Sequence, residues 1–210
     1  MRTYAIVISS YYYGHLAAHA IESVLGQSKK YDQVLFVDDG AQDCKHLEEI
    51  YGDNVDFVFR DKNLGVVANF QDMLMNWVKT DFVMFLGADN WLRSDTLEQL
   101  HDLLSYSYKD VVTYDIVVTG DRKQDITKNY LTNSYQGDAY WSRKFLHHGS
   151  MLYNTDLAKK VGGYAQRLGS IRSDEDYELW DRMVNYGATI GHIDQGLLYY
   201  RRHRENFNKY

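Results

Sequence analysis

The chain has 210 residues, with 23 lysines and arginines against 29 aspartates and glutamates and a formal net charge of −6. A domain of that size buries roughly 70% of its unfolded surface, no run approaches the roughly 18 apolar residues of a membrane-spanning helix, and the single cysteine, Cys44, closes no internal disulfide. An acidic chain without a basic block is poorly suited to phosphate backbones, so membrane-spanning proteins, disulfide-stapled modules and nucleic-acid binders are set aside.

The apolar start Ala5-Ile6-Val7-Ile8 is too short for a secretory signal, and a cytoplasmic location is expected. Tyr4 to Ser9 reads as a buried strand. His15 to Leu25 reads as a helix with Leu16, His19, Ala20 and Ser23 on one face. Val34 to Val37 is a second strand that ends in Asp38-Asp39-Gly40, and a helix from Asp43 to Tyr51 leads to a third strand, Val55 to Phe59. From Val66 to Val78 the spacing is helical, with Phe70, Met73, Leu74, Trp77 and Val78 on one face. Phe82 to Leu86 is a fourth strand, running into Gly87-Ala88-Asp89-Asn90. Ser94 suits an N-cap and Asp95 the first turn of a helix reaching Tyr106, and Val111 to Val118 is a fifth strand. Residues 121–140 are polar, tyrosine-containing and without period, which predicts a long loop. A helix over 174–186, a strand from Thr189 to Ile193 and a basic, aromatic tail from Leu197 to Tyr210 complete the chain.

Strict alternation of strand and helix implies an α/β domain with a mostly parallel sheet covered on both faces. Ligands of such sheets bind beyond the carboxyl ends of the strands. Those ends are Ser9-Ser10-Tyr11, Asp38-Asp39-Gly40, Arg60-Asp61-Lys62-Asn63 and Gly87-Ala88-Asp89-Asn90. None carries the fingerprint of a dinucleotide site or a P-loop. Two acidic ends in one crevice repel unless a cation or hydrogen-bond donors lie between them. Oxygen ligands there suit Mg²⁺ or Mn²⁺ bridging to substrate phosphates. Asp38 or Asp39 equally suits a nucleobase or ribose, and a solvated turn closed by Gly40 accounts for the same residues without a ligand.

Asp176 heads a stripe with Leu179, Trp180, Met183 and Val184, which aims its carboxylate inward at a helix start, where a general base can work. Ser173 and Asp174 suit the cap of that helix. His203, in Tyr199-Tyr200-Arg201-Arg202-His203, reads in isolation as a solvated tail residue. Cys44 has no thiolate-stabilising context and reads as inert. Proline is absent where average usage gives about ten. The 19 tyrosines offer apolar faces with polar tips, suited to stacking on a sugar or base.

In this order the segments resemble the family 2 glycosyltransferases of the GT-A fold. The pieces are the first strand into Ser9-Ser10-Tyr11-Tyr12, the helix Ala20 to Gln27, Val37-Asp38-Asp39-Gly40, Asn63-Leu64-Gly65-Val66, Phe85 to Leu92, Gly162-Gly163-Tyr164, Glu175 to Trp180, and Tyr200 to His203. The resemblance implies a single GT-A domain over 1–210, with a nucleotide-binding half to about residue 90 and an acceptor-binding half after it. It implies transfer of a hexose, with inversion, from a nucleotide-diphosphate sugar (UDP-sugar expected) to a hydroxyl of a glycan or other acceptor. By the same resemblance Ser9, Ser10, Tyr11, Asp38, Asp39, Asn63, Gly65, Ala88 and Asp89 bind the donor. Asp89 and His203 hold a divalent cation, Mn²⁺ or Mg²⁺, and Asp176 is the base. The sequence departs from the family where Gly87 replaces the first aspartate of the Asp-X-Asp motif, Asn90 a further acid, and Ser10 and Tyr12 a proline and an asparagine. The first two leave a less negative cation site. The alternative is a catalytically weakened or inactive sugar-nucleotide or glycan-binding protein on the same fold. The chain ends soon after His203, which suggests a minimal soluble catalytic domain.

Overall fold

The computed structural model describes residues 1–120, 130–132, 148–164, 175–204 and 206. In chain order they form β1 (Tyr4–Ser10), α1 (Gly14–Leu25), β2 (Gln33–Asp38), α2 (Lys45–Tyr51), β3 (Asp56–Phe59), α3 (Val66–Asp72), β4 (Phe82–Gly87), β5 (Trp91–Leu92) and α4 (Thr96–Tyr106). β6 (Val111–Gly120), β7 (Tyr130–Thr132), β8 (Met151–Asn154), α5 (Thr155–Lys160), α6 (Glu175–Asn185) and β9 (Ile190–Arg202) follow. Among the described residues no helix is long and apolar enough to cross a membrane.

The apolar run of β1 is buried on both faces, and its residues alternate between two cores. Tyr4, Ile6 and Ile8 pack with Ala17, Ile21 and Val24 of α1, Leu47 of α2, and Leu97, Leu100 and Leu104 of α4. Ala5 and Val7 pack with Phe70 of α3, Ala158 of α5, and Leu179 and Trp180 of α6. The strand order is β3-β2-β1-β4-β8-β6-β9-β5, with β7 added beside β6. Its long ladders, β1 with β2 and β4, and β6 with β9, are parallel. Short antiparallel pairings seat β8 between β4 and β6 and place β5 at the edge on β9.

The first half follows the sequence reading closely, with physical reasons where it departs. The buried row of α1 is Ala17, Ala20, Ile21 and Val24, one position round from the expected face, while His19 is exposed and stacks on Trp91 at 4.6 Å. After Asp72 the α3 segment widens into a π-helix over Met73–Trp77, closed by the Val78 amide on the Met73 carbonyl. The wider turn keeps Met73, Leu74 and Val78 in the core but leaves Trp77 39% exposed, its indole donating to Asp72 instead. The N-cap position of α4 is Asp95, not Ser94, and its carboxylate pairs with Arg93 rather than capping the helix.

Larger differences lie in the second half. The segment expected as a loop contains strand β7, and its remaining residues lie outside those described. Ser173 and Asp174 also lie outside them. β8 and α5, absent from the sequence reading, are too short for periodicity to reveal. Most consequential, the expected basic tail is strand: β9 continues through Leu197 to Arg202.

Gly40 lets two strand-end loops meet. It sits at φ +89°, and a Cβ there would lie 2.4 Å from the Asn63 nitrogen and the Lys62 carbonyl carbon. Gly40→Ala is therefore expected to lower stability by about 2–4 kcal/mol, since both the backbone region and the contact exclude a side chain. Urea denaturation measures this, and a loss under about 0.5 kcal/mol would mean that the 61–65 loop simply moves aside.

Candidate active site

In the order β3-β2-β1-β4 the chain winds outward from β1 and then returns to its other side, so the topological switch point falls between β1 and β4. Open α/β sheets bind ligands at that place. There Ser9 pairs with Gly87, the last residue of β4. The Ala88 amide donates to the Ser9 carbonyl at 2.9 Å, and the Asn90 amide turns back to the Gly87 carbonyl at 3.0 Å. This tight turn presents Asp89.

Asp89 is 7% exposed and meets His203, 8% exposed, with Nε2 3.1 Å from Oδ2. β9 carries the histidine there, and its ring also packs edge-on against Tyr13. Asn206 Nδ2 donates to the same Oδ2 at 3.0 Å, and Asn90 Nδ2 donates to Oδ1 at 2.8 Å. Arg201 Nε donates to the Asp89 carbonyl at 3.1 Å while its guanidinium lies 4.9 Å over Trp91. Asp89 Oδ2 and His203 Nε2 are an oxygen and a nitrogen donor side by side, a pairing that suits Mn²⁺ when substrate and water fill its remaining positions. Groups of three close metal-type donors among the described residues lie elsewhere, at Asp38, Asp43 and Cys44 and at Asp115, His192 and Asp194. The first is a poor cation site: Asp38 is tied to backbone amides, and burial pushes the Cys44 thiol up, which keeps it protonated.

The other acidic strand end does not face Asp89. β1 stands between β2 and β4, which separates the two ends by two strand spacings, roughly 10 Å. Mutual repulsion therefore does not call for a cation between them, because each carboxylate has its own donors. Asp38 Oδ1 accepts from the Ala41 and Gln42 amides at 2.8 and 3.2 Å, and Oδ2 from the Cys44 amide at 3.3 Å. Asp39 accepts from the Leu64 and Gly65 amides at 3.0 Å, one on each oxygen. Burial holds the Asp39 carboxyl above its usual range, against the pull of those amides and of Arg60. Asp39 thus fixes the loop carrying Asn63, whose side chain is exposed, and Gly65, which precedes α3 at φ +80°.

Ser9 accepts from Asn69 at 3.2 Å and the buried Ser10 from the Cys44 thiol at 3.4 Å. Beyond them Tyr11 and Tyr12 are exposed, with ring centroids 4.4 Å apart, and Tyr12 takes φ 63°. The left-handed backbone at a non-glycine residue is a strained feature of the kind that clusters at ligand sites.

Asp176 lies in the first turn of α6, beside Tyr153 of β8 rather than in contact with Asp89. Leu179, Trp180 and Met183 are buried as the period predicts, and Asp176 is half-buried with Oδ1 enclosed. Its charge adds to burial in holding the Tyr153 hydroxyl well above the usual range, against the Tyr164 hydroxyl that shares a 2.7 Å hydrogen bond with it. Arg182 locks α6 to the Gly162-Gly163 turn by donating to the Val161 and Gly163 carbonyls. Sequence reasoning missed Asn206, Arg201 and the amide role of Asn90; Asn90 and Arg201 lay inside segments already singled out.

The switch-point turn, the crossing loops and the returning β9 define a GT-A fold. Residues 5–166 match the profile of glycosyl transferase family 2, and the chain belongs to that family. The match ends before α6 and β9, so the pairing of His203 with Asp89 is seen only in the structure. No curated protein matches the sequence. Crystal structures of S. aureus TarS share the fold: TarS 1-349 in complex with UDP-GlcNAc has a TM-score of 0.78 at 15% identity, over 97% of this chain and 60% of that one. A second TarS structure gives 0.76 at 16% identity, over 95% and 37%. The complex of TarS 1-349 with UDP gives 0.75 at 16%, over 95% and 60%. The chain therefore spans 60% or less of the length of these structures.

The bidentate hold of Asp39 makes a direct prediction. In Asp39→Asn one amide donor must face a backbone N–H, so one part-buried donor loses its acceptor. The expected loss is about 1–3 kcal/mol in urea denaturation, whereas an unchanged midpoint would mean that the 63–65 loop does not depend on this carboxylate.

Proposed function

We propose that this chain transfers a hexose from a UDP-sugar to a hydroxyl acceptor with inversion at the anomeric carbon. The observation that carries the reading is the junction of Asp89 with His203 across 114 residues of chain, at the switch point of a GT-A sheet. The UDP and UDP-GlcNAc complexes of TarS, a protein of similar fold, support the choice of donor. In this reading the strand ends of residues 1–90 hold the nucleotide and the remainder shapes the acceptor side. Asp39, through Leu64 and Gly65, sets the wall formed by Asn63 and Gly65. Ser9, Ser10, Tyr11, Asp38 and Ala88 line the first crevice. Asp89 and His203 would hold the divalent cation, which when bound neutralises charge on the departing diphosphate.

Asp176 supplies the proton acceptor. As the acceptor oxygen bonds to the anomeric carbon, its proton passes to the carboxylate and the bond from that carbon to the diphosphate oxygen breaks. Attack opposite the leaving group gives inversion. Asp176 is half-buried with Oδ1 enclosed, a setting that keeps bulk water from competing for the proton.

Two measurements test the reading. UDP at about 100 times its dissociation constant, with Mn²⁺ present, should add about 2.7 kcal/mol of stability in a thermal-shift assay, and Asp89→Asn should remove the increment due to the cation. If no nucleoside diphosphate shifts the melting temperature with Mn²⁺, the donor site is wrong. Asp176→Asn should leave the UDP shift intact while transfer to a hydroxyl acceptor falls by roughly 10²–10⁴. A variant keeping more than about a tenth of wild-type turnover would place the base elsewhere, with Glu175 next to be tested. UDP binding with no turnover over a panel of acceptors would instead identify a sugar-nucleotide-binding protein, the outcome that Gly87 favours.

A further inference from the structure

In sequence, Asn90 reads as a lost carboxylate of the cation site. Its hydrogen bonds say otherwise. Asn90 Oδ1 accepts from the Arg201 backbone amide at 2.9 Å, and that group can only donate. The orientation of the amide is thereby fixed, and Nδ2 must face Asp89 Oδ1. Asn206 repeats the logic on the other oxygen. Its Oδ1 accepts from the His203 backbone amide at 2.6 Å, so Nδ2 faces Asp89 Oδ2 and the Arg201 carbonyl, both acceptors at 3.0 Å. Asn90 and Asn206 are 2% and 8% exposed.

We infer that Asn90 and Asn206 are positioning residues for Asp89: two neutral amides that hold both oxygens of a single carboxylate and set it against His203. They are not remnants of a larger acidic site. An aspartate at 90 would put a second oxygen where Nδ2 now lies 2.8 Å from Asp89 Oδ1. Two buried carboxylates at that distance cannot both stay ionised without further charge between them. The centre therefore holds a single carboxylate by construction. Resting on the donor reading above, a consequence follows for binding: a divalent cation finds too little charge in Asp89 and His203 alone, and the nucleotide diphosphate supplies the rest. Cation and nucleotide then bind as a unit, each tightening the other equally.

The test uses the full chain, Asn90→Asp and Asn206→Asp, with MnCl₂ and UDP as probes. Melting temperatures are taken in EDTA, and Mn²⁺ titrations by calorimetry with and without saturating UDP. Each variant should melt roughly 3–10 °C below wild type without metal, and neither should bind Mn²⁺ more tightly than wild type. For wild type, UDP should tighten Mn²⁺ by at least about tenfold. An unchanged melting temperature together with a tenfold gain in Mn²⁺ affinity in either variant would overturn the proposal and make the amides lost ligands. Should Asn90→Asp fail to fold, Asn206→Asp decides, because it lies beyond the last strand. If wild type binds neither UDP nor Mn²⁺, the donor reading fails, while the melting comparison in EDTA still judges the clamp.

Discussion

The strand-end rim on which the site is built depends on the parallel pairing of β1 with both β2 and β4. A strand buried on both faces and hydrogen-bonded along both edges has no freedom to slip, since a one-residue shift would exchange its two apolar faces. Parallel pairing also brings the carboxyl ends of all three strands to one rim. Ser9, Asp38 and Gly87 are thereby placed by register alone, before any side chain of the site is specified.

On that rim, charge is handled locally. Asp38 and Asp39 are buried carboxylates, and burial without donors would drive them to protonate or unfold the loops. Backbone amides of the adjoining loops answer both, and the same bonds that stabilise the charge determine the shape of the crevice wall. Asp89 follows the rule with side-chain amides and an imidazole instead of backbone. Backbone donors are fixed by the fold, whereas side-chain donors are fixed only by their own partners, here the Arg201 and His203 amides.

The sequence disclosed what is local and withheld what is topological. Apart from the two-residue β5, the strands and helices up to Tyr106 follow from short apolar runs and helical spacing because their burial is set within each segment. Asp38 and Asp89 look like neighbours in chain order, and nothing in their segments says that β1 will stand between them. The π-helix at Met73–Trp77 hides for another reason: the pattern of Phe70, Met73, Leu74 and Val78 is shared by both helix types, and only Trp77 distinguishes them. The place of His203 was legible only through the resemblance of its segment, and the half-buried setting of Asp176 through its helical period. Asn206 was not, because an asparagine three residues after a histidine carries no period and no charge.

The least expected element, the long β9, explains how a centre built from residues 89, 201, 203 and 206 can exist. Its first part pairs with the start of β6, and register shifts around Asp115 follow. Such irregularities bend a strand and increase its twist. Past them β9 continues along β6 and also takes β5 on its other edge, where Trp91 stacks on Tyr199 at 5.3 Å. β5 begins two residues after Asp89, so this one pairing delivers both ends of the centre together. The position of His203 against Asp89 is thus a consequence of sheet closure at the β5–β9 edge. A change that loosened Trp91 from Tyr199 and Arg201 would disturb the centre without touching any of its polar atoms.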